Sequence, residues 1–343
     1  MSAQTIKIGL IGAGRIGCLH ADHLTSRVPF ADLVGVADAS KEAARRCAER
    51  FAIPSIEQDY RALLDRSDIQ AVVICSSTDT HARIIEEAAQ AGKHIFCEKP
   101  IALDLSSIDQ ALKAVKQAGV KLQIGFNRRF DANFRRVRQA IEQEEIGRPH
   151  LLKIVSYDPA PPPLSYIRTS GGIFLDMTIH DFDMARYLMG CEVEEVFVMA
   201  DVLIDPEIGA AGDVDTTVLL LRFTNGVIAT ISNSRCAAYG YDQRAEVLGS
   251  AGAIYTENNY PNTAIISDAR SIRRDLPLNF FVERYTESFV SEMAAFVDAV
   301  RRDTPVLVNG QDGRMPVVMA LAAMKSHEEH RPVRLLEIEQ GRD

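Results

Sequence analysis

The chain has 343 residues, a length that fits two domains better than one. With 47% hydrophobic and 25% charged residues it has enough apolar material for two packed cores. A formal net charge of −9 argues against a nucleic acid or an anionic membrane as partner, because both reward clustered Lys and Arg.

Met1 to Lys7 shows no long apolar segment behind a basic head, so no signal peptide is expected. No later run approaches the ~18 apolar residues of a membrane helix. The six cysteines, at 18, 47, 75, 97, 191 and 236, form no CxxC pair and read as free, mostly buried thiols. A cytoplasmic protein is the expectation.

The first apolar run, Ile6 to Ile11, has the character of a strand buried on both faces. It leads into Gly12-Ala-Gly14-Arg15-Ile16-Gly17 and a helix from about Arg15 to Ser26. A second strand, Leu33 to Ala37, ends in Asp38, 21 residues after Gly17. That context turns a weak GxGxxG pattern into a specific dinucleotide signature. Gly12 permits the tight turn, Gly14 lets backbone approach a pyrophosphate, and Gly17 lets helix and strand pack closely. The pyrophosphate would lie on the free N–H groups at the positive end of the helix. Asp38 can accept both adenosine ribose hydroxyls and repels a 2′-phosphate, which points to NAD rather than NADP.

Helix Lys41 to Phe51, strand Ala71 to Cys75, helix His81 to Ala91, strand Lys93 to Phe96, helix Leu105 to Ala118 and strand Leu122 to Gly125 continue the alternation. The pattern predicts an α/β doubly wound parallel sheet, a Rossmann domain over residues 1–125. Ligands of such sheets bind beyond the carboxyl ends of strands. Ser76, Ser77, Thr78 and His81 should therefore line the nicotinamide part of the cofactor site. Glu98-Lys99-Pro100 follows the next strand, and a partly desolvated Lys99 ammonium there suits proton transfer.

Near Gly147 the pattern changes, and residues 126–343 are expected to form an α+β domain with a large open, mainly antiparallel sheet. A C-terminal segment packing back on the first domain is left open. Strand His150 to Tyr157 enters a stiff loop, Pro159 to Pro163, and a helix is expected over Ile173 to Met189. Strands follow at 195–203, 216–223, 227–234, 243–249 and 253–257, with Asn225-Gly226 as a hairpin turn. Two helices, 283–301 and 313–329, close the pattern. Arg128-Arg129, Arg135-Arg136 and Arg301-Arg302 lie among acids in helical stretches and are expected on solvated faces.

On the helix over 173–189, Asp176 and His180 are spaced i, i+4 and Asp183 lies three residues further, so the three can share one face. A His flanked by carboxylates can take a hydroxyl proton while a carboxylate steadies the imidazolium. His20 with His23 and His327 with His330 stand at i, i+3 spacing without Cys or acidic companions in a metal-site pattern, so no metal is expected.

The nucleotide signature, Glu98-Lys99-Pro100 and the run Gly171-Gly172-Ile-Phe-Leu-Asp176-Met-Thr-Ile-His180-Asp-Phe-Asp183 together resemble the Gfo/Idh/MocA oxidoreductases over essentially the whole chain. Within that family, Gly125-Phe-Asn127-Arg-Arg-Phe-Asp131 and Asp158-Pro-Ala-Pro-Pro-Pro are similar to inositol 2-dehydrogenases. The resemblance implies hydride transfer from a cyclic polyol to NAD. The expected substrate is myo-inositol, with scyllo-inositol, D-chiro-inositol or a pyranose as alternatives. It implies Lys99, Asp176 and His180 as catalytic residues, with either His180 or Lys99 as proton acceptor. Asn127, Asp158, Asp183, Tyr241 and Tyr285 are then candidates for the ring hydroxyls, with Tyr239 an alternative to Tyr241. Arg15, Ile16 and Glu98 join the cofactor set, and a homotetramer is implied. A ligand-sensing regulator and an NAD-dependent glycosidase remain as competing classes.

Overall fold

The computed structural model describes residues 5–341, so part of the segment read for a signal peptide lies outside the described residues. The chain divides into two compact units, one of residues 1–127 with 287–317 and one of residues 128–286 with 318–343.

In the first unit, strands β1 (Ile6–Ile11), β2 (Ala31–Ala37), β3 (Ile56–Glu57), β4 (Ala71–Ile74), β5 (His94–Glu98) and β6 (Leu122–Gly125) form one parallel sheet in the order β3-β2-β1-β4-β5-β6. This is a doubly wound Rossmann sheet, with its crossover between β1 and β4. The central strands carry short apolar runs because both faces are covered: Ile8, Leu10, Val36, Val73 and Phe96 are buried. Helices Arg15–Ser26, Lys41–Phe51 and Leu105–Ala118 fall where the sequence pattern places them. Ser40 caps the second through Ala43 N–H, and Asp104 caps the third through Ser107 N–H. Met293, Phe296 and Val297 of helix Thr286–Arg302 complete this core.

The second unit is α+β. Strands β7 (Pro149–Tyr157), β8 (Val193–Asp201), β9 (Thr216–Phe223), β10 (Ile228–Ser234), β11 (Asp242–Gly249) and β12 (Ala253–Tyr255), with β15 (Val333–Arg334), form an open sheet in the order β12-β11-β7-β10-β9-β8-β15. A separate hairpin joins β13 (Ile265–Ser267) and β14 (Ile272–Arg274). The seven-stranded sheet is mainly antiparallel, but β7 and β10 pair in parallel, which a chain of simple hairpins does not produce. The Asn225-Gly226 turn does join an antiparallel pair, β9 and β10, with Gly226 at φ +88°.

Strand burial alternates. In β9, Thr217, Leu219, Leu221 and Phe223 are buried while Val218, Leu220 and Arg222 are exposed. On the exposed face Leu248, Leu151 and Ile228 stand side by side across three strands, and Val218 faces Met199.

Several features differ from the sequence pattern. The segment expected as one helix over 173–189 is a π-helix, Phe174–Thr178, followed by an α-helix, Ile179–Met189. Helices Ala132–Glu142 and Leu164–Ser170 and the edge strand β15 lie outside the expected elements, although the first carries a helical signal in its buried Phe134, Val137 and Ala140. All six cysteines are free, but only Cys47 and Cys97 are fully buried and Cys236 is exposed. The solvated-face reading holds for Arg135 and Arg136 and fails for Arg128-Arg129: Arg128 is buried and Arg129 nearly so, each paired with an aspartate. Among the described residues no helix is long and apolar enough to cross a membrane.

Candidate active site

The glycine loop of the first unit has the form its motif demands. Gly12 has φ +98°, and a Cβ there would stand 2.5 Å from the Cys75 carbonyl group. A Cβ on Gly17 would collide with the carbonyl oxygen of Gly12. At Gly14 an added Cβ would meet nothing within 4 Å, so the loop is open where it starts the helix. Gly14 caps that helix without a side chain, and Arg15 is exposed and Ile16 half-buried beside it. Such a cradle accepts a pyrophosphate on backbone N–H groups, so the residues present fit a dinucleotide.

Asp38 stands half-buried at the end of β2. One carboxylate oxygen accepts from Ala13 N–H at 2.7 Å and the other from Ser40 N–H at 2.8 Å. Its carboxylate is thereby fixed beside the glycine loop, with lone pairs left for ribose hydroxyls. Ser40, rather than Asp38, caps the following helix.

After β4, Ser77 precedes helix Thr78–Gln90, and Ser76 Oγ lies 2.7 Å from Thr80 Oγ1. His81 is buried, with Nδ1 2.8 Å from the Pro100 carbonyl and Nε2 3.0 Å from the Ser76 carbonyl. Both ring nitrogens are thus engaged by backbone. His81 ties together the two strand ends that carry Ser76 and Lys99. Lys99 is half-buried, and its peptide bond to Pro100 is cis. Asn127 is buried at the start of a 3₁₀ turn, Asn127–Phe130. Glu98 accepts from, or shares a proton with, His20 Nε2 at 2.7 Å. His20 therefore does have acidic companions, Glu98 and Glu292, contributed from 78 and 272 residues away and invisible to any local spacing rule.

The second unit gathers most of the other candidates. Asp176 lies in the π-helix, and His180 stands half-buried in the first turn of the α-helix after it. A π segment inside a helix is costly and recurs at functional sites. Tyr166 donates to one Asp176 oxygen at 2.8 Å, and Arg235 Nη1 donates to the other at 3.3 Å. Arg235 is 1% exposed and also reaches Asp213 at 3.4 Å. Asp158, at the end of β7, sits in the same field. Burial pushes its carboxyl up to about 6; Arg235 opposes that shift, Asp176 reinforces it and Arg128 again opposes it.

Beneath these groups is a buried polar layer. Arg128 donates to Asp181 at 2.7 Å, and Asn233 Nδ2 donates to the other Asp181 oxygen at 2.7 Å. Tyr241 and Tyr285 are both buried and stack edge to face at 6.1 Å, with the Arg128 guanidinium over the Tyr285 ring. Arg284 pairs with Asp131 beside them at 2.6 Å. Tyr239, by contrast, is exposed and bonded to Asp242 at 2.6 Å. Asp183 accepts a fork from Arg129, with contacts of 2.6 to 3.0 Å. Its carboxylate is thus anchored by a guanidinium that the sequence reading left in solvent.

Sequence reasoning missed Tyr166, Arg235, Asp181 and Arg128. Arg128 lies inside the segment that carries Asn127, so its neighbours were a usable signal. Arg235 is a lone arginine at the end of a strand, with nothing local to single it out.

Residues 6–126 match the family model described as the oxidoreductase family, NAD-binding Rossmann fold, and residues 134–255 match the GFO/IDH/MocA C-terminal domain. A myo-inositol 2-dehydrogenase of Thermotoga maritima is 48% identical, covering 97% of this chain and 99% of that protein. An inositol 2-dehydrogenase of Rhizobium meliloti is 46% identical, covering 96% and 99%. A crystal structure of scyllo-inositol dehydrogenase from Lactobacillus casei with bound NAD(H) and scyllo-inositol is 31% identical, with a TM-score of 0.91, covering 97% of this chain and all of that one. The chain belongs to the Gfo/Idh/MocA oxidoreductase family.

Proposed function

We propose that this family member is an NAD-dependent inositol dehydrogenase that oxidises myo-inositol to 2-keto-myo-inositol. The observation that carries the reading is the joint presence of the open glycine cradle with Asp38 beside it and the Asp176–His180 turn, in a chain 46–48% identical to inositol 2-dehydrogenases along nearly its full length.

NAD⁺, when bound, supplies the hydride acceptor. The cradle Gly12 to Gly17, including Arg15 and Ile16, would hold its pyrophosphate and Asp38 its adenosine ribose, with Ser76, Ser77, Thr78 and Glu98 on the nicotinamide side. His180 is the proposed proton acceptor for the reacting hydroxyl. Asp176, fixed by Tyr166 and Arg235, holds a carboxylate beside the helical turn that carries it. Lys99 is the proposed cation that polarises the developing alkoxide. Asn127, Asp158, Asp183, Tyr241 and Tyr285 are proposed for the remaining ring hydroxyls. A surface so rich in hydrogen-bonding groups suits a ligand with a hydroxyl on every carbon, because buried polar groups left unpaired are costly. The buried guanidiniums of Arg128, Arg235 and Arg284 already carry carboxylate partners, so they add no counter-charge to that of Lys99 for an acidic or phosphorylated substrate.

Steady-state NADH production with myo-inositol, scyllo-inositol, D-chiro-inositol, glucose and a deoxy-inositol tests the assignment. The expected order places myo-inositol first and the deoxy analogue lower by a factor of roughly 10² or more. A pyranose above every inositol in kcat/KM would overturn the inositol assignment. No NADH with any polyol would favour a sensing protein or a glycosidase.

The Asp158 carboxyl gives a pH signature. It titrates at about 6, so it becomes ionised as pH rises through that value. An ionised Asp158 accepts two ring hydroxyls, whereas the protonated form spends one oxygen as a donor. KM for inositol should therefore rise as pH falls through about 6, and Asp158→Asn should remove that inflection. The linked stability has the opposite sense: a carboxyl raised above 3.8 contributes fully below that value and loses its contribution as pH rises through about 6.

The exposed side of the seven-stranded sheet presents Leu151, Val218, Leu220, Ile228, Leu248 and Met199 to solvent, each at least 41% exposed. A contiguous apolar face of this kind is usually covered in a stable protein. We take it as a self-association surface, giving a cytoplasmic homotetramer with sheets packed face to face. Light scattering at micromolar concentration should return an oligomer, and a monomer would remove the proposal.

A further inference from the structure

Behind the strand end that leads to Lys99, the first unit buries two titratable groups for which the proposed reaction has no use, His20 and Glu292, and sets them beside Glu98. His20 lies on helix Arg15–Ser26, Glu98 ends β5 and Glu292 lies on helix Thr286–Arg302. One ligand-type atom from each falls within 4.8 Å of the others. His20 and Glu292 have no solvent exposure. His20 Nε2 is taken by Glu98 at 2.7 Å, and Phe96 and Phe289 close on the imidazole edge to face at 5.3 and 5.9 Å. Gln123 of β6 donates to the backbone carbonyl of Glu292, not to its side chain. Neither carboxylate oxygen of Glu292 has a hydrogen-bond partner among the described residues.

Three further titratable groups near this cluster, Cys75, Cys97 and His23, bring no positive charge to it. Cys75 and Cys97 are thiols that burial first, and the Glu98 carboxylate after it, hold well above their ordinary range. Burial, with His20 next, pushes His23 down to about 4, so it is neutral at physiological pH. Two carboxyl groups, Glu292 fully buried and Glu98 partly so, therefore share a site with a single imidazole whose Nε2 is already committed to Glu98. An isolated ionised carboxylate in such a place costs far more than protonation does, and paired carboxylates resolve the conflict by keeping one proton.

We propose that Glu292 is a neutral carboxylic acid at physiological pH and acts, with His20, as a positioning residue for the Glu98 carboxylate. The cluster then carries one carboxylate rather than two. His20 contacts Glu98 directly, and the neutral Glu292 leaves no second negative charge to drive Glu98 out of place. The strand end that continues into Lys99 is held from behind by this arrangement. The inference touches the proposed reaction only through Lys99, and its test does not depend on turnover. Burial first, and Glu98 second, raise the Glu292 carboxyl well above 4.5, consistent with this state.

The test is infrared spectroscopy of the full-length protein, compared with Glu292→Gln. At about pH 8, where Asp158 is ionised, the wild type should show the carbonyl stretch of a protonated carboxylic acid, shifted on deuteration, and the variant should lack it. Thermal melts from about pH 6 to about pH 9 give a second readout. A carboxyl raised on folding makes folding take up a proton, so its contribution is full below the unfolded value and falls as pH rises. Gln cannot ionise, so the melting temperature of Glu292→Gln minus that of the wild type should grow with pH. Absence of the protonated band, or a pH-independent difference, overturns the inference. So does one equivalent of divalent metal in the purified protein, which would make the cluster a cation site. If Glu292→Gln does not fold, the wild-type band and its loss at high pH decide the matter alone.

Discussion

His180→Ala and Lys99→Ala should each lower kcat by on the order of 10²–10⁴, the range of positioned acid–base groups, and leave NAD⁺ affinity little changed. His180 is half-buried in the first turn of helix Ile179–Met189, a helix whose hold on the second unit comes from Ile179, Phe182, Met184, Ala185 and Leu188. Truncating the imidazole removes none of that apolar burial, so the fold should survive and the loss should appear in turnover. Lys99 lies after β5 and is likewise only half-buried. Its loss should fall on the chemical step if the ammonium acts on the developing alkoxide, because a contact strengthened only in the transition state changes kcat rather than KM. Steady-state rates with myo-inositol, alongside NAD⁺ titration by fluorescence, measure both quantities. Near-normal turnover in either variant would remove that residue from the reaction.

The second large effect is expected in stability. Arg128 and Asp181 are both buried and meet at 2.7 Å, with Asn233 Nδ2 on the other Asp181 oxygen. Burial raises the Asp181 carboxyl, and Arg128 is the largest influence opposing that. Arg128→Ala should therefore destabilise the protein by about 3–5 kcal/mol, because it strands a buried carboxylate. Replacing both partners by apolar residues of similar volume, Arg128→Met with Asp181→Leu, should recover most of that loss, since the desolvation cost disappears with the charges. Denaturant unfolding of the three proteins makes the comparison. A single variant as stable as the wild type would show that the pair contributes nothing. Its position beneath Tyr241 and Tyr285 adds a functional readout: the double variant should fold well yet bind inositol more weakly, because the layer that holds the tyrosines has lost its polar anchor.

The sequence was sufficient where structure is dictated by neighbours along the chain. Short apolar runs, the glycine spacing and Asp38 fix the parallel sheet and its cradle, because turn sterics and helix period act over a few residues. Helices Arg15–Ser26, Lys41–Phe51 and Leu105–Ala118 begin and end where capping and periodicity predict. The position of Lys99 beyond a strand end and the placing of Asp176 and His180 on one helical segment were legible for the same reason. Partnerships between distant residues were not. The parallel pairing of β7 with β10, the fork from Arg129 to Asp183, the pair Arg128–Asp181 and the meeting of His20 with Glu98 and Glu292 all join segments tens to hundreds of residues apart. Local composition read Arg128 and Arg129 as solvated because charged residues near acids ordinarily are. Only the packed structure shows that their carboxylates come from inside the second unit, where low polarity makes each such charge acceptable solely because its counter-charge is there.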